Sequence, residues 1–191
     1  MNFDLTEDQE MMRETFAGFL SENSSTVRVR AALPLGFDPA LWTGLGELGA
    51  FSIRVSEEKG GLGLGVFDAT LLMEEAGRTL VSGPLAETLV ATRLLANFGG
   101  ADDVLARMLT GEAVVSIAYH DVAKQPKQWV AGGAVAEAVI ARDGEQIVLI
   151  SVPAAARKSE PNLASTPIAE LDLKGGERKL LSSGPEAVTA F

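Results

Sequence analysis

Cysteine is missing from this 191-residue chain, which excludes disulfides, thiolate nucleophiles and cysteine-ligated metal sites. Histidine occurs once, as His120, so a cluster of histidine metal ligands is not expected either. Positive charge is scarce: 16 basic residues face 26 acidic ones, for a formal net charge of −10. An acidic protein repels both nucleic acid and anionic membrane surfaces, so neither is an expected partner. Long apolar runs are absent too. The Leu89–Phe98 segment is broken by Arg93 and falls short of the roughly 20 residues that membrane insertion requires. The acidic N-terminus, Met1–Asp8, has no apolar h-region and does not read as a secretory signal, so a cytoplasmic location is expected. No Gly-Lys-Ser/Thr follows a glycine loop, and no Gly-x-Ser-x-Gly elbow occurs.

What is present is enough apolar material, 47% of residues, to bury a core. The first part has helical periodicity. Thr6 with Gln9 three positions on makes a capping box, and Glu7, Asp8 and Glu10 place negative charge at the positive helix end. Met12, Phe16, Phe19 and Leu20 then share a face. Asp38-Pro39 starts a second helix with the stripe Leu41, Trp42, Leu45 and Leu48 before Gly49. Further helices are predicted over 66–78, from Pro84 to Phe98, and from Asp102 to Gly111. Five helices in about 110 residues make a bundle-sized unit.

After Gly111 the pattern changes to strands. Runs over 113–119, 135–142, 146–152, 165–173 and 178–181 read as β, with Asp143-Gly144 as a hairpin turn. Helices first and strands second imply an α+β fold. The expected organisation is an all-helical bundle over 1–111 followed by a β-rich, barrel- or sandwich-like domain over 112–191.

Local motifs leave the chemistry open. Gly60-Gly61-Leu62-Gly63-Leu64-Gly65 follows a possible strand, Phe51–Val55, and precedes a helix. No register supplies glycines at positions one, three and six, so the loop reads as a tight turn using positive φ rather than a dinucleotide cradle. Glu57-Glu58 and Glu74-Glu75 are solvated acidic pairs, not a glycosidase pair.

Taken in order, the segments do carry a signal. Phe3-Asp4-Leu5-Thr6-Glu7-Asp8-Gln9, then Trp42 with Leu45-Gly46-Glu47-Leu48-Gly49-Ala50, then Val55-Ser56-Glu57-Glu58-Lys59-Gly60-Gly61-Leu62-Gly63, then Met73-Glu74-Glu75-Ala76-Gly77-Arg78 and Gly83-Pro84-Leu85 resemble the N-terminal part of acyl-CoA dehydrogenases. Ser56 stands where the family usually has proline. Leu109–Val115 is similar to the entry strand of the family's middle domain.

The resemblance implies a flavin-dependent α,β-dehydrogenation of an acyl-CoA thioester, with FAD as cofactor and an electron-accepting flavoprotein or equivalent as partner. It also implies a homo- or hetero-oligomer. Tyr119-His120-Asp121-Val122-Ala123 occupies the position of a flavin-holding loop whose usual sequence is missing, so Tyr119 and His120 read either as flavin contacts or as strand-end residues. Lys127-Gln128-Trp129-Val130-Ala131 is similar to the family's flavin-facing Lys-x-Trp-Ile-Thr/Ser, with Ala131 lacking the hydroxyl. On this resemblance the cofactor-binding candidates are Tyr119, His120, Trp129, Val130 and Ala131, with Trp129 otherwise a packing aromatic. The glutamate base of the family belongs to a C-terminal helical domain that nothing here matches. No residue is therefore assigned a catalytic role, no metal site is expected, and the chain is expected to be part of a larger enzyme, inactive alone. The alternatives are a non-catalytic partner subunit or an acyl-CoA- or protein-binding module without redox activity.

Overall fold

A computed structural model describes residues 4–191. Phe3, which opens the N-terminal motif, and Met1 and Asn2 before it lie outside the described residues. The helices are α1 (Glu7–Asn23), α2 (Thr26–Ala31), α3 (Pro39–Glu47), α4 (Val66–Arg78), α5 (Leu85–Phe98), α6 (Asp102–Leu109) and α7 (Pro185–Ala190). The strands are β1 (Val115–Ala118), β2 (Lys127–Val130), β3 (Ala138–Asp143), β4 (Gln146–Ser151), β5 (Ala169–Asp172) and β6 (Arg178–Ser183). The fold is α+β, with helices leading and strands following.

Capping residues start the helices and also join them. The Gln9 N–H donates to Thr6 Oγ1 at 3.3 Å, and Gln9 Oε1 accepts the Thr6 N–H at 3.1 Å, so two orphan donors are satisfied reciprocally. The Gln9 side-chain amide then reaches Asp68 Oδ1 at 2.9 Å, and Asp68 Oδ2 accepts the Gly65 N–H at the start of α4. One carboxylate thereby fixes a cap and an interhelix contact. Asp38 works alike: Oδ1 accepts the Ala40 and Leu41 N–H groups, while Oδ2 pairs with Arg28 of α2 at 2.7 Å. Helix α2 has no buried residue, which explains why apolar periodicity did not announce it.

The segment Phe51–Val55, a possible strand from sequence, is a 3₁₀ turn over Ala50–Ser52 followed by a further turn. Gly49, at φ +84°, ends α3 and turns the chain inward. Residues 50–53 are all buried, so no face alternates outward as a strand requires. The glycine loop folds back on this turn through Leu62 N–H to Ser52 O, Leu64 N–H to Ile53 O and Gly63 N–H to Val55 O. Those bonds confirm a tight turn.

The strand half holds two open sheets, and neither closes into a barrel. One has the order β1-β3-β4-β6, the other pairs β2 with β5. Strands β1 and β3 are parallel, and the remaining pairs are antiparallel. The hairpin is where the sequence put it, with Asp143 opposite Gln146 and Gly144-Glu145 as its two-residue loop. The four-residue β2 and the six-residue α7 are too short for periodicity to reveal.

Three buried clusters hold the chain together. The first gathers Phe16, Leu20, Trp42, Leu45 and Phe51, with the Trp42 and Phe51 ring centroids 4.6 Å apart. The second interleaves Leu94, Leu95 and Leu105 of the helices with Val115, Ile140 and Ile147 of the sheet. The third lies within the strand half, around Val130, Val148 and Leu171. Arg107 of α6 forks onto both carboxylate oxygens of Glu137 at 2.7 and 2.9 Å, spanning the two halves. Where the chain leaves the helices, backbone meets backbone. A Cβ on Gly46 would come within 2.4 Å of the Thr110 carbonyl carbon, and one on Gly111 within 2.8 Å of the Trp42 carbonyl oxygen.

Among the described residues three buried polar atoms lack a partner: Trp42 Nε1, Arg54 Nε and Thr88 Oγ1. Thr88 on α5 is 0% exposed, and its Oγ1 makes no hydrogen bond. Removing an unpaired buried hydroxyl by the near-isosteric Thr88→Val is expected to stabilise the fold by about 1 kcal/mol, raising Tm by several degrees. A thermal melt of the variant, coming out lower than the parent, would contradict this account.

Candidate flavin- and acyl-facing surface

Tyr119 and His120 follow β1 directly and are both exposed. Their turn is pinned from below by Gln128, whose Oε1 accepts the His120 N–H at 3.0 Å. Its Nε2 donates to His120 O at 3.0 Å and to Gln125 O at 2.9 Å. Gln128 is only 1% exposed, and these bonds give both polar atoms of its buried side chain a partner. Asp121 pins the other side of the turn, its Oδ1 accepting the Ala123 N–H at 3.1 Å and the Gly144 N–H at 2.9 Å. The Gly144 N–H, opposed by burial and aided by the Ala123 N–H and Arg142, holds the Asp121 carboxyl below the usual range.

Strand β2 alternates strictly. Gln128 and Val130 point inward, while Lys127 and Trp129 point outward. Trp129 is consequently 52% exposed, and Lys127 is held by Glu170 of β5 at 2.7 Å. Tyr119 is 64% exposed and donates its hydroxyl to Glu87 Oε1 of α5 at 3.3 Å. Desolvation, then the Glu87 charge and that hydrogen bond, push the phenol upward, so it stays a protonated donor.

The five sequence candidates therefore have different placements. Tyr119 and Trp129 present aromatic surface. His120 is exposed, but its backbone makes the contacts that Gln128 receives, and among the described residues its imidazole has no hydrogen-bond partner. Val130 is fully buried in the third cluster, so only its backbone can reach a ligand. The Ala131 side chain has no donor, and its carbonyl is occupied by the Ser116 hydroxyl at 2.5 Å.

Beside Glu87 a groove of about 230 Å³ runs between α4 and α5, walled by Met73, Ala76, Leu80, Leu85 and Ala86. Its lining is apolar, with Glu87 on the rim. Glu87 and Gln128 were missed by the sequence reading. Nothing in a helical Glu or in a Gln between Lys127 and Trp129 signals its partner: Glu87 meets Tyr119 across 32 residues, and Gln128 bonds backbone carbonyls and an N–H that any residue carries. Among the described residues there is no group of three or more His, Asp or Glu side chains that could hold a metal. No helix there is long and apolar enough to cross a membrane.

This surface fits a flat aromatic ring system in part. Tyr119 and Trp129 offer exposed stacking area, whereas the Ala131 side chain brings no donor for a polar ring edge.

Residues 6–112 match the profile described as "Acyl-CoA dehydrogenase, N-terminal domain". The chain is 34% identical over 146 residues to acyl-CoA dehydrogenase IpdE2 of Mycolicibacterium smegmatis, covering 75% of this chain and 45% of that protein. It spans about half the length of the curated relatives it matches. Among solved structures it is similar to an acyl-CoA dehydrogenase from Geobacillus kaustophilus, with a TM-score of 0.77 at 19% identity over 100% of this chain and 62% of that one. It is also similar to PigA with FAD and proline, with a TM-score of 0.71 at 16% identity over 98% of this chain and 61% of the other.

Proposed function

The chain belongs to the acyl-CoA dehydrogenase family, and from that premise we propose that it contributes to flavin-dependent α,β-dehydrogenation of an acyl-CoA thioester. The observation that carries this reading is the outward Trp129. On a strand whose neighbours turn into the core, a large aromatic stays half exposed, which costs apolar area unless something flat covers it.

FAD, when bound, would supply the redox chemistry of the family, acceptance of a hydride from the substrate. This chain's residues orient and shield. Trp129 and Tyr119 offer faces to the cofactor, and the backbone of Val130 and Ala131 borders it. The groove between α4 and α5 takes the acyl portion against Met73, Leu80 and Leu85 and keeps water from it. The Tyr119 hydroxyl and Glu87 make a polar rim that favours a substrate carrying a hydrogen-bonding group near the groove mouth. The base that removes the α-proton is assigned to another part of the assembly, as no side chain here takes that role. An electron-accepting flavoprotein, oligomeric assembly and a cytoplasmic setting complete the reading.

Two tryptophans make the test clean. Trp42 is 1% exposed within the first cluster, so of this chain's two tryptophans Trp129 alone is open to static quenching by ring contact with an arriving flavin. In the native assembly, Trp129→Phe should retain FAD but lose the quenching, and Trp129→Ala should weaken FAD by about tenfold. Quenching that persists in Trp129→Phe would overturn the assignment.

A second reading has its own support. Ala131 without a hydroxyl, and Tyr119–Ala123 in place of the family loop, favour a partner subunit that leaves redox chemistry to another chain. Native protein isolated without flavin, yet bound to a flavin-bearing chain, would establish that alternative.

A further inference from the structure

A second cavity, of about 300 Å³, adjoins the groove between α4 and α5, with Leu80, Val81 and Gly83 bordering both. Beyond that shared wall it is enclosed by Val29 of α2, by Leu33 and Gly36, and by residues 164–166 from the strand half. Ser82 lines this cavity but not the groove. The residue is 8% exposed, and neither its hydroxyl nor its N–H has a hydrogen-bond partner among the described residues. The Thr88 hydroxyl is sealed in the core, whereas that of Ser82 opens on a space of ligand size. Backbone strain collects at the same place. Leu80 and Ser165 are the two non-glycine residues at positive φ among the described residues, at +55° and +51°, and both line this cavity. Such a conformation is opposed by the Cβ and persists where the surroundings over-determine it, as at ligand clamps. Gly36, at φ +71°, brings backbone against backbone there, since a Cβ on it would lie 1.8 Å from the Ser165 carbonyl oxygen. No charged side chain is among the lining residues.

We propose that this cavity binds a hydrocarbon group carrying one neutral oxygen, a ketone or a hydroxyl, with Ser82 as its hydrogen-bonding partner. Val29, Leu33, Leu80 and Val81 supply the apolar contact. A ketone oxygen accepts from the Ser82 hydroxyl and so matches a group that the protein leaves unpaired. An ionised group does not fit, because nothing in the lining balances its charge and desolvating it unpaired is far costlier than burying a neutral oxygen. The group can belong to a free small molecule or to the far end of an acyl chain whose near part lies in the adjoining groove. Only the second source rests on the function proposed above.

The test is a titration of the full chain with cyclohexanone, followed by amide NMR. Saturable shifts confined to residues near 29–36, 80–83 and 164–166 are expected. Cyclohexanecarboxylate, the same ring with a charge, should bind about tenfold more weakly. Ser82→Ala should weaken cyclohexanone by about fivefold, the loss of one hydrogen bond. Val29→Phe, on a helix that buries no residue, should fill the space and abolish the shifts without lowering Tm. Shifts that do not saturate, that survive in Val29→Phe, or that are as strong in Ser82→Ala would overturn the proposal. In the native assembly, acyl-CoA thioesters with and without a ketone at the far end separate the two sources. A loss of affinity in Ser82→Ala confined to the keto substrate identifies the acyl end, and equal losses or none identify a free molecule. The cyclohexanone titration needs no flavin, so its outcome is independent of the Trp129 test.

Discussion

Phe51→Ala is expected to cost about 3–5 kcal/mol, the range for truncating a large aromatic in a core that cannot collapse around the hole. Phe51 is fully buried, and its ring lies 4.6 Å from that of Trp42, which in turn is 5.5 Å from Phe37. The surrounding turn cannot move inward to fill the space. Its backbone is bonded to the glycine loop on one side, and Gly46 holds α3 against the Thr110–Gly111 backbone on the other. Against a typical total stability of about 5–15 kcal/mol, such a loss removes from about a fifth of the stability to all of it. Urea unfolding followed by Trp42 emission checks it. A cost under about 1 kcal/mol would mean that the cluster repacks and that the rigidity argued here is absent.

Gln128→Ala is expected to cost about 2–4 kcal/mol and also to release the turn that bears Tyr119 and His120. The side chain makes three hydrogen bonds to backbone, two of them to His120 itself. Its removal strands an N–H and two carbonyls beside the third cluster. Gln128→Glu separates the contributions: the carboxylate can still accept from His120 N–H but cannot donate to the two carbonyls. Hydrogen exchange at the His120 amide reads the difference. That amide should exchange at least tenfold faster in Gln128→Ala than in Gln128→Glu, whereas equal rates would show that the turn is held by Asp121 alone.

The sequence showed those parts of the fold whose cause is local. The Thr6–Gln9 capping box, the Asp38-Pro39 start and the Asp143-Gly144 hairpin depend on neighbours within a few residues, and the structure has them there. Helix α2 was illegible because it buries nothing, and β2 because four residues carry no reliable period. Phe51–Val55 misled because an apolar run is common to a buried turn and a strand. At the candidate surface, the motif left Trp129 open between a flavin-facing and a packing aromatic, its outward position came from the alternation of β2, and the supporting roles of Gln128 and Glu87 were not legible. Each of those is a pairing across 8 and 32 residues respectively, set by the tertiary fold rather than by local chemistry.

Gly46 and Gly111 have a mechanical consequence. Where α3 rests on Thr110 and Gly111, no side chains separate the two backbones, so there are no rotamers to yield under load. Such a junction behaves as a weld. It passes displacement from one half to the other rather than absorbing it, so the groove between α4 and α5 and the strands that follow keep a fixed spacing, and tilting either one loads both.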